Sequence, residues 1–192
     1  ATDGTTSCTK ESTVSNVTIN ALPSYTTDLI ATQSVCVGTS LTVTATSTGS
    51  VSYQWYESSD NSTWTAISSA TLSSYTPVSS QYYKVIATDG TTSCTKESTV
   101  SNVTVDAMPI STLSVSDATI CQGSSATITV SSSESGYSYQ LRNDADDSSV
   151  GSPVTGTGSD ITFSVTPSST TTYNVLVTNG VCIEELSDQS TV

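Results

Sequence analysis

Apolar residues recur at every second position in short runs: Leu41, Val43 and Ala45; Tyr53 and Trp55; Tyr83, Val85 and Ala87. That spacing places alternate side chains on one face of an extended chain, so each run predicts a strand with one buried side. A fourth run, Val100, Val103 and Val105, has a one-residue break that predicts a bulge. Between the runs stand Thr48-Gly49-Ser50, Ser59-Asp60-Asn61 and Asp89-Gly90, residues that favour turns. No stretch of useful length carries the 3.6-residue period of a helix. The pattern predicts an all-β protein with about seven short strands per unit, arranged as a small Greek-key sandwich.

The size of the unit comes from an internal repeat. Residues 1–18, ATDGTTSCTKESTVSNVT, recur unchanged as residues 87–104, and Ala21-Leu22-Pro23 is matched in phase by Ala107-Met108-Pro109. The expected organisation is residues 1–20 as the C-terminal strands of a truncated preceding repeat, followed by full repeats at 21–106 and 107–192. A chain that opens inside a repeat, without initiator Met or signal peptide, is expected to be a segment of a longer polypeptide. Tyr53-Gln54-Trp55 aligns with Tyr139-Gln140-Leu141, and the runs beginning at Tyr83 and Tyr173 align likewise. Trp55, Leu141, Tyr83 and Tyr173 are therefore expected in the cores, the second core being the smaller because Leu141 replaces a Trp. Asp106-Ala107-Met108-Pro109 leaves little slack between repeats, which predicts an extended rod of limited flexibility.

Composition changes the picture in one respect. Of 192 residues 40 are Ser and 37 Thr, while Leu, Ile, Val and Phe total only 38. So thin an apolar fraction borders on that of disordered chains. The ordered repeat points instead to sheets whose outer faces are hydroxylated, since Thr combines a β-branched shape with a wettable group. Seventeen acidic residues against four basic ones give a net charge of -13. That balance argues against nucleic acid, whose affinity rests on basic side chains, and no apolar run approaches the length needed for membrane insertion. The chain has no His, and no Ser or Thr has an evident activating base, so the expectation is a protein without catalysis or cofactor.

Five cysteines fall into the repeat frame as Cys36 with Cys94 and Cys121 with Cys182, one disulfide expected per repeat, with the partner of Cys8 outside the chain. Zinc is the weaker alternative, because each repeat offers two Cys without His or close spacing. Disulfides in turn imply an oxidising, extracytoplasmic location. Because Cys94 stands beyond the Asp89-Gly90 turn and Cys36 precedes the Leu41 run, the bridge is expected at loops or strand ends near one pole, not through the core.

Three further patterns offer candidate chemistry. Asp144, Asp146 and Asp147 form a carboxylate cluster that could gather calcium ligands, although a solvated turn explains the same residues and the Gly and Glu of an EF-hand loop are missing. Tyr56, Trp64, Tyr75 and Tyr82 could form an aromatic platform for sugars, or be isolated surface aromatics. Asn16, Asn61 and Asn102 head N-glycosylation triplets of a kind that arises by chance in so Ser/Thr-rich a chain.

The segments CVGTSLTVTAT, YQWYESSDNSTWTAISSAT and YYKVIATDG resemble the tandem immunoglobulin-like repeats of very large cell-surface adhesins of Bacteroidota, the SprB-type gliding adhesin filaments among them. The resemblance covers essentially the whole chain. It implies immunoglobulin-like sandwiches in tandem, display on the cell surface after type IX secretion, and a stalk or filament role in adhesion or gliding motility. The implied partners are neighbouring repeats, surface polysaccharide, and the envelope machinery of motility and secretion. The alternative is a carbohydrate-binding or calcium-dependent accessory module of a secreted enzyme or adhesin.

Overall fold

The computed structural model describes residues 4–6 and 9–192, and no helix occurs among them. Cys8 lies outside the described residues. The first repeat contains β1 (Ser24–Thr27), β2 (Thr32–Cys36), β3 (Leu41–Thr42), β4 (Thr44–Thr46), β5 (Val51–Ser58), β6 (Thr65–Ala66), β7 (Ser74–Tyr75), β8 (Gln81–Asp89), β9 (Thr95–Glu97) and β10 (Ser101–Asp106). The second contains β11 (Ala126–Val130), β12 (Ser138–Asn143), β13 (Val154–Thr155), β14 (Ile161–Val165), β15 (Thr172–Thr178), β16 (Ile183–Glu185) and β17 (Ser190–Thr191).

In the first repeat one sheet runs β2-β10-β8-β5-β6, with β9 also on β8, and faces the pairs β1-β4 and β3-β7. The chain changes sheet from β1 to β2, β2 to β3, β4 to β5, β6 to β7 and β7 to β8, so neighbours in sequence pack across the sandwich. β2 lies parallel to β10, while the remaining pairs are antiparallel. The second repeat has the same plan, with β13-β12-β15-β16 and β17 on β15 facing β11-β14. This is the immunoglobulin-like sandwich.

Inward side chains obey the period of two. Leu41, Val43 and Ala45 are all buried, but their run splits at Val43, where the ladder changes partner from β7 to β1. Trp55 is fully buried on β5, and its indole Nε1 donates to Leu72 O at 2.8 Å. Tyr83, Val85 and Val103 close the first core around it. The break at Val100 is not a bulge, because β10 begins only at Ser101 and pairs with β8 in unbroken register. Ser101 takes the inward position, fully buried, and its Oγ accepts from Gln33 Nε2 at 2.9 Å.

The second core holds Tyr139, Leu141, Tyr173 and Val175. The expectation that it is the smaller one is corrected: Ile128, Phe163 and Leu186 also belong to it, and more residues are buried here than in the first core. No buried residue belongs to both cores.

Among the described residues no named strand precedes Ser24, and Val14, Val17 and Ile19 are almost fully exposed. The same Ser-Asn-Val-Thr that forms β10 at 101–104 has at 15–18 neither a β8 nor a β2 beside it, and a strand without a hydrogen-bonding neighbour is not stable alone.

Because the two cores share no residue, damage to one should stay local. Trp55→Ala should destabilise the first sandwich by about 3–5 kcal/mol while leaving amide protection in β12 and β15 unchanged. Residue-resolved native-state hydrogen exchange would read both halves of that expectation.

Candidate functional site

The chemistry that distinguishes this molecule gathers where the two repeats meet. β2 and β10 finish as register partners, Cys36 opposite Asp106. Val37 N donates to Asp106 O at 2.9 Å, and the chain then leaves the first sandwich through Ala107. From the second repeat comes the hairpin between β15 and β16. Asn179 shapes it: its Oδ1 accepts from Cys182 N at 2.7 Å and Val181 N at 3.0 Å, and its backbone N donates to Cys182 O at 3.2 Å. Cys182, fully buried, is bonded to Cys36 with 5.5 Å between the Cα atoms. Asn179 Nδ2 donates across the junction to Ala107 O at 3.3 Å. The linker and the disulfide thus leave the first sandwich side by side.

The expected pairs Cys36 with Cys94 and Cys121 with Cys182 are therefore corrected. Cys94 has no disulfide and Cys121 is free and exposed. The reason lies in strand direction. Cys36 is level with Asp106, three residues past the Val103–Gln81 pair, whereas Cys94 follows the far end of β8, which runs the other way from Gln81. At about 3.3 Å per residue the two cysteines stand roughly 35 Å apart, and a disulfide spans about 4.4–6.8 Å between Cα atoms. Each repeat has its cysteines at opposite poles, so the bond forms between repeats. It closes a sequence separation of 146 residues, which in the chain-entropy model removes about 5 kcal/mol of unfolded-state freedom.

The acidic cluster is a turn held by its own hydrogen bonds. Asp144 Oδ1 accepts from Asn174 Nδ2 at 3.2 Å and from Gln189 Nε2 at 2.6 Å, and Asp147 Oδ1 accepts from the same Asn174 Nδ2 at 3.0 Å. Asp146 turns instead to Ser148, accepting its hydroxyl at 2.6 Å and its amide at 3.0 Å, which holds the carboxyl below the usual carboxylate range. Arg142 supplies positive charge, 3.3 Å from Asp147 and paired also with Glu185. Asp144 and Asp147 meet at one donor while Asp146 does not join them. Among the described residues no group of three metal-ligating side chains converges.

The four aromatics are divided as well. Tyr75 lies against the core, its ring centroid 5.7 Å from those of Trp55 and Tyr83. Tyr56 and Trp64 flank the ammonium of Lys84, at 5.9 and 4.6 Å from the ring centroids, and Lys84 also pairs with Glu97 at 2.9 Å. Tyr82 stays half-buried on the outer face, opposite Ser58 and Asn102. Lys84, not singled out in the sequence, organises this face, and the signal for it is its alternate position between Tyr82 and Ile86 on β8.

The first repeat has Asp89 where the second has Asn179. Asp89 is fully buried and accepts from the amides of Thr92 and Thr91, the hydroxyl of Thr48 and the amide of Gly49. The Thr92 amide and the Thr48 hydroxyl do most to hold its carboxyl well below the usual carboxylate range. A carboxylate shapes the turn as an amide does, but it has no N–H to offer a linker.

Residues 25–107 match the family model of a domain of unknown function (DUF8696), a span close to the first repeat. No protein of curated function matches the chain in sequence. Among solved structures the chain is similar to the titin domains Z1Z2 in complex with telethonin, at 18% identity over 91% of this chain and 98% of that one, with a TM-score of 0.34. It is similar also to the four N-terminal Ig domains of Dscam1 isoform 6.9, at 15% identity, 93% of this chain and 47% of that one, with a TM-score of 0.36. The chain spans about half the length of the Dscam1 structure.

Two outcomes follow from the paired hairpins. Asn179→Asp should keep the turn yet lose the bond to Ala107, at a cost of about 1 kcal/mol in the oxidised protein, measurable by chemical denaturation. Asp89 binds its proton more weakly folded than unfolded, so its contribution is complete above the unfolded carboxylate value and is lost as pH falls through the lower folded one. The melting temperature of the first sandwich should therefore drop as pH falls from about 5 to about 2, and Asp89→Asn should flatten that drop.

Proposed function

We propose that this chain is a structural stalk segment of a large secreted surface adhesin, serving adhesion or gliding by holding a distant tip away from the cell. The observation that carries the reading is the covalent shortcut at the junction. A pull on the two ends reaches Cys36 after the edge strands β1 and β2, crosses to Cys182, and leaves through residues 183–192 with β16 and β17. Residues 37–181, with most of both cores, lie outside the loaded path. A module built in this way transmits tension without unravelling residues 37–181.

Other features suit the same work. A net charge of -13 keeps closely spaced copies soluble and apart. A disulfide at the joint is stable only in an oxidising compartment, in keeping with an extracellular, cell-surface setting. The faces hold neither a convergent metal site nor an intact aromatic platform among the described residues. The likeness to SprB-type repeats of Bacteroidota supplies the specific setting: type IX secretion, a filament of neighbouring repeats, and contact with surface polysaccharide or envelope machinery. No catalysis or cofactor enters this reading.

Single-molecule pulling through the termini tests it. Reduction should add the 146-residue loop to the extensible length, about 500 Å at roughly 3.5 Å per residue, and the oxidised chain should show no extension of that size. Small-angle scattering should report an elongated particle. A compact globule, or a specific sugar found on a glycan array with the first repeat, would replace the stalk reading.

A further inference from the structure

Cys94 and Cys121 are left without partners, yet each occupies a position that is bonded elsewhere in the same molecule. Cys36 and Cys121 open the same turn. Thr39 N donates to Cys36 O at 2.9 Å around Gly38 at φ +87°, and Ser124 N donates to Cys121 O at 2.9 Å around Gly123 at φ +82°. Cys94 and Cys182 close the same hairpin: Asp89 N donates to Cys94 O at 2.9 Å, as Asn179 N donates to Cys182 O at 3.2 Å. The turn cysteine of one repeat and the hairpin cysteine of the next are the two halves of the bond at the existing junction.

We propose that Cys121 and Cys94 are two halves of the same kind of bond, each fitted to a further repeat of this type. Cys121 takes the hairpin cysteine of a repeat that follows, and Cys94 takes the turn cysteine of one that precedes. The surroundings of Cys121 match this use. It is exposed at the pole where the second sandwich ends, its segment held beside β17 by the bond from Ala118 N to Thr191 O at 3.2 Å, as β2 is held beside β10. A cleft lined by Ile120, Gln122, Pro167 and Val192 opens next to it, where the following hairpin would seat. At the other pole Cys94 is only half-buried. Its hairpin, Asp89–Cys94, is two residues longer than Asn179–Cys182 and carries Asp in place of the linker-binding Asn, so the bond there acts without that side-chain clamp.

Forming the bond removes one proton and one electron from each thiol. The two electrons reduce the disulfide of an exchange partner, such as oxidised glutathione or a disulfide oxidoreductase, to its two thiols. In an array bridged in this way the taut path runs from Cys94 to Cys121, about 27 residues that reach roughly 90 Å fully extended. They span two sandwiches whose poles lie roughly 35 Å apart each, so the array is almost inextensible. A stalk could be built without such bonds, and failure of this bond is distinct from failure of the stalk reading.

The test is a doubled chain, with a second copy of residues 21–192 following Val192 and Cys8→Ser to remove the sequence twin of Cys94. After refolding in a glutathione buffer, mass spectrometry of linked peptides should find Cys121 joined to Cys94 of the second copy, and the Cys36–Cys182 bond in both halves. Cys121→Ser should abolish only the former. Cys121 linked to Cys182 of its own repeat, Cys94 linked to Cys36, or both thiols free in a folded doubled chain would overturn the proposal. On the 192-residue chain itself a maleimide should label Cys94 and Cys121 and spare Cys36 and Cys182; the reverse pattern would overturn it as well.

Discussion

A strand in which threonine alternates with valine can bury only one of its faces, and the architecture of both sandwiches depends on that limit. Most strands give their core a single row, such as Leu41, Val43 and Ala45 or Tyr83, Val85 and Ala87, and leave the other row at least partly solvated. Cores this thin are reinforced by aromatic side chains that fasten backbone as well as fill space. Trp55 Nε1 donates to Leu72 O, Tyr83 OH donates to Ser79 O, Tyr53 OH accepts from Ala45 N, and Tyr139 OH accepts from Glu134 N. Each of these rings is a packing element whose polar tip satisfies a backbone group that would otherwise be left without a partner.

The same economy explains why the covalent tie sits at the joint. Within a repeat the two cysteines are separated by the length of β8, and no arrangement of an intact sandwich brings them together. Between repeats, the end of β2 and the β15–β16 hairpin meet, with Asp106 and Ala107 beneath them. Two chain connections side by side constrain twist as well as separation, which a single linker of a few residues would not do.

Much of the fold was legible because it rests on local pattern: period two along β5 and β8, turn residues between runs, and the phase of the repeat. The cysteine pairing was not. A tandem array contains the same cysteines whether the bond lies within a repeat or between neighbours, and the choice follows from strand direction, which composition and spacing do not record. The aromatic face failed for a related reason. Tyr75 and Tyr56 look alike in the sequence, but β7 turns one towards Trp55 while β5 leaves the other beside Lys84. The aspartates 144, 146 and 147 lie close along the chain, yet their oxygens turn to different donors once Asn174 and Ser148 are in place.

The duplicated segment draws the line most clearly. Ser-Asn-Val-Thr at 101–104 is a strand with Ser101 and Val103 fully buried, and the identical residues at 15–18 are exposed and outside any strand. By itself the sequence determined the alternation, the turns and the length of the unit, because these depend on residues a few positions apart. Which copy became a strand, which cysteines joined, and which carboxylates met were decided only by the tertiary structure. Those outcomes depend on what stands beside a residue in space, and hydrogen bonds, disulfides and buried faces each need a partner that the local sequence does not name.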